Sequence, residues 1–261
     1  MGELLDPQAR SARGAAIQAE VAAAPAPQPA TPLGESWRDF VFAEIWARPG
    51  LERRARYLIS IAGAAMAGAA EDILGGYVRG ALKDGYLTLA ELREAALHMA
   101  VYGGWSRGEA IERAVDRAAA QLGLPPASCP PIRAEAWDTD ERTAQGMHEF
   151  AETMTFPGGP SISPFLEAIN NFVFGEMWCR RGLDQRSRRF MTLVAVAESS
   201  SEIPIKSHFH AAMASGNCTA EEMQEFVLQY GVHAGWPKAS VVQGVVFDMA
   251  RKVAEGLPWN G

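Results

Sequence analysis

Apolar residues recur along this chain at helical spacing, and no stretch sustains the period-two alternation of a half-buried strand. Alanine is abundant and runs of β-branched residues are few, so the pattern predicts an all-α protein. A first helix is expected over 7–24, ended by the rigid stretch Pro25-Ala-Pro27-Gln-Pro29. A second segment of the same kind spans 139–154 and ends before Pro157-Gly-Gly-Pro160. Further helices are predicted near 164–179, 184–200, 203–215 and 219–233, with a terminal one from about 237. Thr88-Leu-Ala-Glu91 and Thr219-Ala-Glu-Glu222 read as capping boxes, in which hydroxyl and carboxylate each satisfy an orphan N–H. Gly85 and Gly216 stand where the preceding helix should end in a left-handed residue, and Pro237 suits a first helical turn.

The helical pattern is written twice. Arg10-Ser-Ala-Arg-Gly14 returns as Arg142-Thr-Ala-Gln-Gly146. Phe42-Ala-Glu44-Ile-Trp46-Ala-Arg48-Pro-Gly50-Leu51 returns as Phe174-Gly-Glu176-Met-Trp178-Cys-Arg180-Arg-Gly182-Leu183, and Arg54 and Arg56 match Arg186 and Arg188. After the loss of one residue, Gly85, Glu94, Gly104 and Trp105 pair with Gly216, Glu225, Gly235 and Trp236. Two copies of one domain follow, over 1–123 and 139–261, joined by a linker over 124–138 that the prolines of Leu124-Pro-Pro-Ala-Ser-Cys-Pro-Pro131 stiffen.

Composition narrows the function. With 48% hydrophobic residues each copy can fill a core, and the net charge of −7 argues against a nucleic-acid partner. No apolar run reaches the 18 residues of a membrane span, and no secretory leader is evident at the N-terminus. Cys129, Cys179 and Cys218 are odd in number and scattered, which fits a reducing, cytoplasmic setting rather than a disulfide framework.

Trp178-x-Arg-x-Gly-Leu-Asp-x-Arg-x-Arg188, followed by His208-Phe-His210-Ala-Ala212, Gly216-Asn-Cys-Thr219-Ala-Glu-Glu222 and Ala234-Gly-Trp-Pro237, resembles the carboxymuconolactone decarboxylase family. The resemblance covers residues 7–122 and 139–256. It implies tandem alkylhydroperoxidase D-like helical domains and a homo-oligomer, a trimer forming a pseudo-hexamer. It also implies a lyase that needs no metal or organic cofactor and decarboxylates a small anionic unsaturated lactone or related acid. An isomerase, another carbon–carbon lyase, or a non-catalytic binding protein of the same fold are the alternatives. In the related peroxidase branch a Cys pair precedes the helix histidine; the matching positions here are Ser201 and Pro204, which cannot supply a thiolate.

His208 takes the position of the family's helix histidine and is the first candidate for the acid or enolate stabiliser. Its first-copy counterpart is Tyr77. His233, opposite Tyr102 of the first copy, is a candidate second titrating group, and Glu202 a candidate catalytic carboxylate or a helix-start residue. Substrate contacts are assigned to Arg188, Trp178, His210 and Tyr102, although His210 should point roughly 200° from His208. His98 is expected to make a structural hydrogen bond, and Arg188 and Arg56 are expected to pair with Glu176 and Glu44. The arginines at 180, 181, 186, 188 and 189 could draw an anion; a solvated ion-pair face explains them equally well.

Overall fold

A computed structural model describes residues 6–132 and 135–261; residues 133–134, inside the linker assigned to 124–138, and 1–5 lie outside it. Among the described residues every regular element is helical. The first copy supplies α1 (Pro7–Ala22), α2 (Pro32–Ser36), α3 (Arg53–Ala67), α4 (Glu71–Lys83), α5 (Leu89–Gly103) and α6 (Trp105–Leu122). The second supplies α7 (Thr139–Met154), α8 (Pro164–Ala168), α9 (Gln185–Ser199), α10 (Glu202–Ala214), α11 (Ala220–Ala234) and α12 (Trp236–Ala254). Both capping boxes form, and Gly85 and Gly216 take φ of +70° and +76°. Pro237 lies in the first turn of α12.

Periodicity alone does not reveal that α2 and α8 run on as π-helices, over Trp37–Trp46 and Ile169–Trp178. The repeated Arg-x-x-x-Gly motif explains how they are held. A Cβ on Gly14 would lie 2.2 Å from the Arg38 carbonyl oxygen, and one on Gly146 only 1.7 Å from that of Asn170. The motif's arginine then donates from Nε to a π-helix carbonyl, Arg10 to Asp39 at 2.9 Å and Arg142 to Asn171 at 3.2 Å. Wide turns leave carbonyls poorly paired, and these contacts satisfy them.

The copies do not pack as two separate balls. α3 and α9 lie against each other, α5 of the first copy packs on α9, and α11 of the second packs on α3. One apolar core therefore runs through both, from Leu58 and Ile61 to Leu193 and Phe226.

Cross-copy ion pairs lock this exchange. Glu94 on α5 accepts from Arg180 Nε at 2.9 Å and from Arg188 at 3.3 Å; in the sister arrangement Glu225 on α11 accepts from Arg48 at 2.6 Å and Arg56 at 2.9 Å. Gly182 and Gly50 leave the room, since a Cβ there would meet Glu94 Cγ at 2.5 Å and Glu225 Cγ at 2.9 Å. The partners expected for Arg188 and Arg56 are thereby corrected. Glu176 and Glu44 sit on the π-helices and face α7 and α1, where they pair with Arg142 and Arg10.

Candidate functional site

Tyr102 near the end of α5 and His208 in α10 come from different copies, yet their rings meet edge to face at 5.6 Å. Both line a cavity of about 500 Å³, a volume ordinary for a small-molecule site. Its walls are mostly aromatic and aliphatic: Phe150 and Met154 come from α7, Phe174 from the π-helix and Trp259 from the C-terminal segment. Phe165 and Ile203, 73% and 65% exposed, stand at the rim. No lining side chain is charged at neutral pH if His208 is neutral, and the polar groups among them are Tyr102, His208, three serines and the Trp259 indole N–H.

His208 is neutral. It is 8% exposed, its Nδ1 is buried without a hydrogen-bond partner, and burial together with the nearby Arg189 guanidinium pushes its pKa down to about 3. Tyr102 is oriented by Trp178, whose indole Nε1 donates to the phenol oxygen at 2.8 Å. An indole can only donate, so the phenol proton is left to point elsewhere. Burial holds that phenol up at about 12, so it too is a neutral donor. Behind Tyr102, His98 is wholly buried, within hydrogen-bond distance of Thr192 Oγ1 (2.8 Å) and Arg188 Nη1 (3.4 Å), in the structural role expected of it.

The structure does not bring the other candidates to this cavity. His233 lies in the sister site, 3.3 Å from the Tyr77 hydroxyl, because α11 packs against the first copy; burial lowers its pKa to about 4. There Trp46 stacks on Tyr77 with centroids 5.6 Å apart, so a phenol stands where the second copy has His208. His210 faces the other side of α10 and donates from Nε2 to the Leu257 carbonyl at 2.9 Å, tying down the C-terminal segment. Glu202 is in solvent, paired with Lys206 at 2.7 Å. Arg188 is spent on Glu94 and on two backbone carbonyls, Leu183 and Arg180. Trp178 touches the site only through Tyr102 and its stack on Phe174. Trp105 and Trp236 are exposed, each against a π-helix aromatic of the other copy, Phe172 and Phe40.

Sequence reasoning missed the aromatic lining, because Phe150 of α7, Phe156 just beyond it and Trp259 carry no motif. It also grouped Arg189 with surface arginines, whereas the residue is completely buried. The available signal was the repeat itself: the first-copy counterpart of Arg189 is Tyr57, a core residue.

The family's sequence model matches residues 31–117 and again 163–246, each half of the duplication separately. The chain belongs to the carboxymuconolactone decarboxylase family. Among curated relatives, it is 34% identical over 93 residues to a 4-carboxymuconolactone decarboxylase of Acinetobacter baylyi, covering 36% of this chain and 66% of that protein. It is 39% identical over 116 residues to a nitrosuccinic acid decarboxylase of Metarhizium robertsii, covering 43% of this chain and 80% of that protein. In this tandem family member, Ser201 and Pro204 both line the cavity, while burial raises the thiols of Cys179 and Cys218 to about 11 and about 12. Neither thiol is suited to nucleophilic work. Among the described residues no helix is long and apolar enough to cross a membrane.

Proposed function

We propose that this protein is a carboxy-lyase working without metal or organic cofactor on an organic acid whose carboxylate is conjugated to an electron acceptor, such as an unsaturated lactone. The observation that carries the reading is the Tyr102–His208 pair, two neutral donors in an aromatic cavity. In such a reaction the bond to the carboxylate carbon breaks, CO2 leaves, and the electron pair moves into the acceptor oxygen; a carbon then takes a proton. The apolar wall favours loss of the carboxylate's charge. Tyr102 O–H and the His208 ring stabilise the developing oxyanion. A bound carboxylate also raises the His208 pKa, so the imidazole takes up a proton with the substrate and returns it to carbon.

The two curated relatives are both decarboxylases, which supports this reaction class. The sister site, with Tyr77 in place of the histidine, is read as structural. The exposed Trp105, Trp236 and Phe247 support self-association, which light scattering can measure. The test of function is CO2 release from a panel of unsaturated lactone acids and β-oxo acids. His208→Ala should abolish turnover and leave the assembly intact; no turnover with any member of the panel refutes the reading.

A further inference from the structure

Arg189 is a buried cation that the proposed chemistry leaves unused. Its side chain is fully buried, and the carboxylate whose charge acts on it, Glu149, makes no ion pair with it among the described residues. Arg188 and Arg56, the other two fully buried arginines, are each neutralised by a glutamate. Arg189 instead donates from Nε to Asn217 Oδ1 at 3.1 Å and from Nη2 to the Thr153 carbonyl, and Nη1 has no partner at all. A buried charge left this way is costly unless something compensates it.

The guanidinium carbon lies 5.3 Å from the Trp178 ring, the ring that orients Tyr102, and Nη2 holds the residue next to Met154 of the cavity wall. Its field reaches His208 and Tyr102, being the charge that acts on the first and one of those that act on the second. A buried positive charge thus stands behind one wall, off the lining itself, and the interior of about 500 Å³ is uncharged and aromatic. A short polyacid would satisfy that charge with its first carboxylate and bury its second among phenyl rings without a partner, which is unfavourable.

Building on the reading of this cavity as the substrate site, we propose that it takes a monocarboxylate with an aromatic or comparably bulky apolar body. The single negative charge, on the carboxylate when the acid binds and on the acceptor oxygen once CO2 has left, answers Arg189 through the wall, and the body lies among Phe150, Phe156, Phe174 and Trp259. Arg189 is a positioning residue that sets ligand charge.

Calorimetric titration with 3-phenylpropanoate, its neutral amide and succinate tests this on the full chain without any need for turnover. The expected result is 3-phenylpropanoate binding at least tenfold more tightly than either of the others. In Arg189→Met the acid should lose about tenfold and the amide should be unchanged; Arg189→Lys should restore part of the preference. Equal binding of acid and amide by the wild type, or tighter binding of succinate, overturns the proposal whatever the variants do. An unchanged preference in Arg189→Met overturns the role of Arg189. Absence of CO2 release from every acid, with the binding preference intact, counts against the decarboxylase reading alone.

Discussion

Three neutral imidazoles, His98 and His208 buried and His233 half-buried, make a quantitative demand on the molecule's behaviour in acid. His208 titrates near 3 and His233 near 4, and His98 is held well below its ordinary value by burial and the neighbouring arginines. In the unfolded chain all three titrate near ~6.5. The folded values are depressed, so the unfolded state binds protons first as pH falls, and stability present above ~6.5 is lost below it. At pH 5 His208 and His233 each cost about 2 kcal/mol relative to pH 8, about 4 kcal/mol together, with a slope of about 3 kcal/mol per pH unit, and His98 adds to the loss in the same direction. That is a large part of the 5–15 kcal/mol that usually holds a domain together. Glu94 and Glu225, whose arginine partners outweigh burial and hold them below the usual carboxylate range, add to the loss only in more acidic solution. Urea unfolding at pH 8, 7, 6 and 5, followed by circular dichroism, measures the slope. His98→Gln is the internal control, because Gln229 already fills the equivalent place, donating to Ser60 and accepting from Arg56, each at 2.9 Å. It should fold and lower the slope. A stability independent of pH between 8 and 5 refutes the assignment of these rings as buried and neutral.

Other outcomes follow from the same geometry. Tyr102→Phe should lower kcat by about 10²-fold, the usual cost of one oxyanion donor, and it strands the Trp178 N–H at a cost of about 1–3 kcal/mol; steady-state kinetics and thermal melts separate the two effects. Glu94→Ala leaves Arg188 without its countercharge and should cost about 3–5 kcal/mol in a denaturant titration, with Glu225→Ala costing a similar amount through Arg56. Gly146→Ala puts a Cβ against the Asn170 carbonyl and should destabilise by about 3 kcal/mol, as should Gly14→Ala in the sister position. If His208 gains a proton with its ligand, the calorimetric enthalpy at pH 7 will vary with the ionisation enthalpy of the buffer; equal enthalpies in phosphate and Tris would rule that out.

The helices were legible because their ends carry specific chemistry, as at Thr88, Thr219, Gly85 and Gly216, and because an internal copy repeats each signal. The π-helices were not, since they depend on α1 and α7 approaching closely enough to take up carbonyls that the local sequence leaves unpaired. His208 and Tyr102 could be picked out by position, but their meeting could not, because it requires α5 to cross into the other half. The same crossing sent His233 to the far site and gave Arg188 a different glutamate from the one its sequence neighbourhood offers. His210 behaved as helix geometry required, pointing away from His208.

The exchange of α5 and α11 gives each half one wall of the other's site. Two identical chains arranged in this way would form a symmetric dimer in which every substitution is felt at both sites at once. Joining them end to end removes that obligation: a change such as Arg189 opposite Tyr57 alters one chamber and leaves its mirror image alone. Covalent fusion thus lets the two chambers be shaped independently.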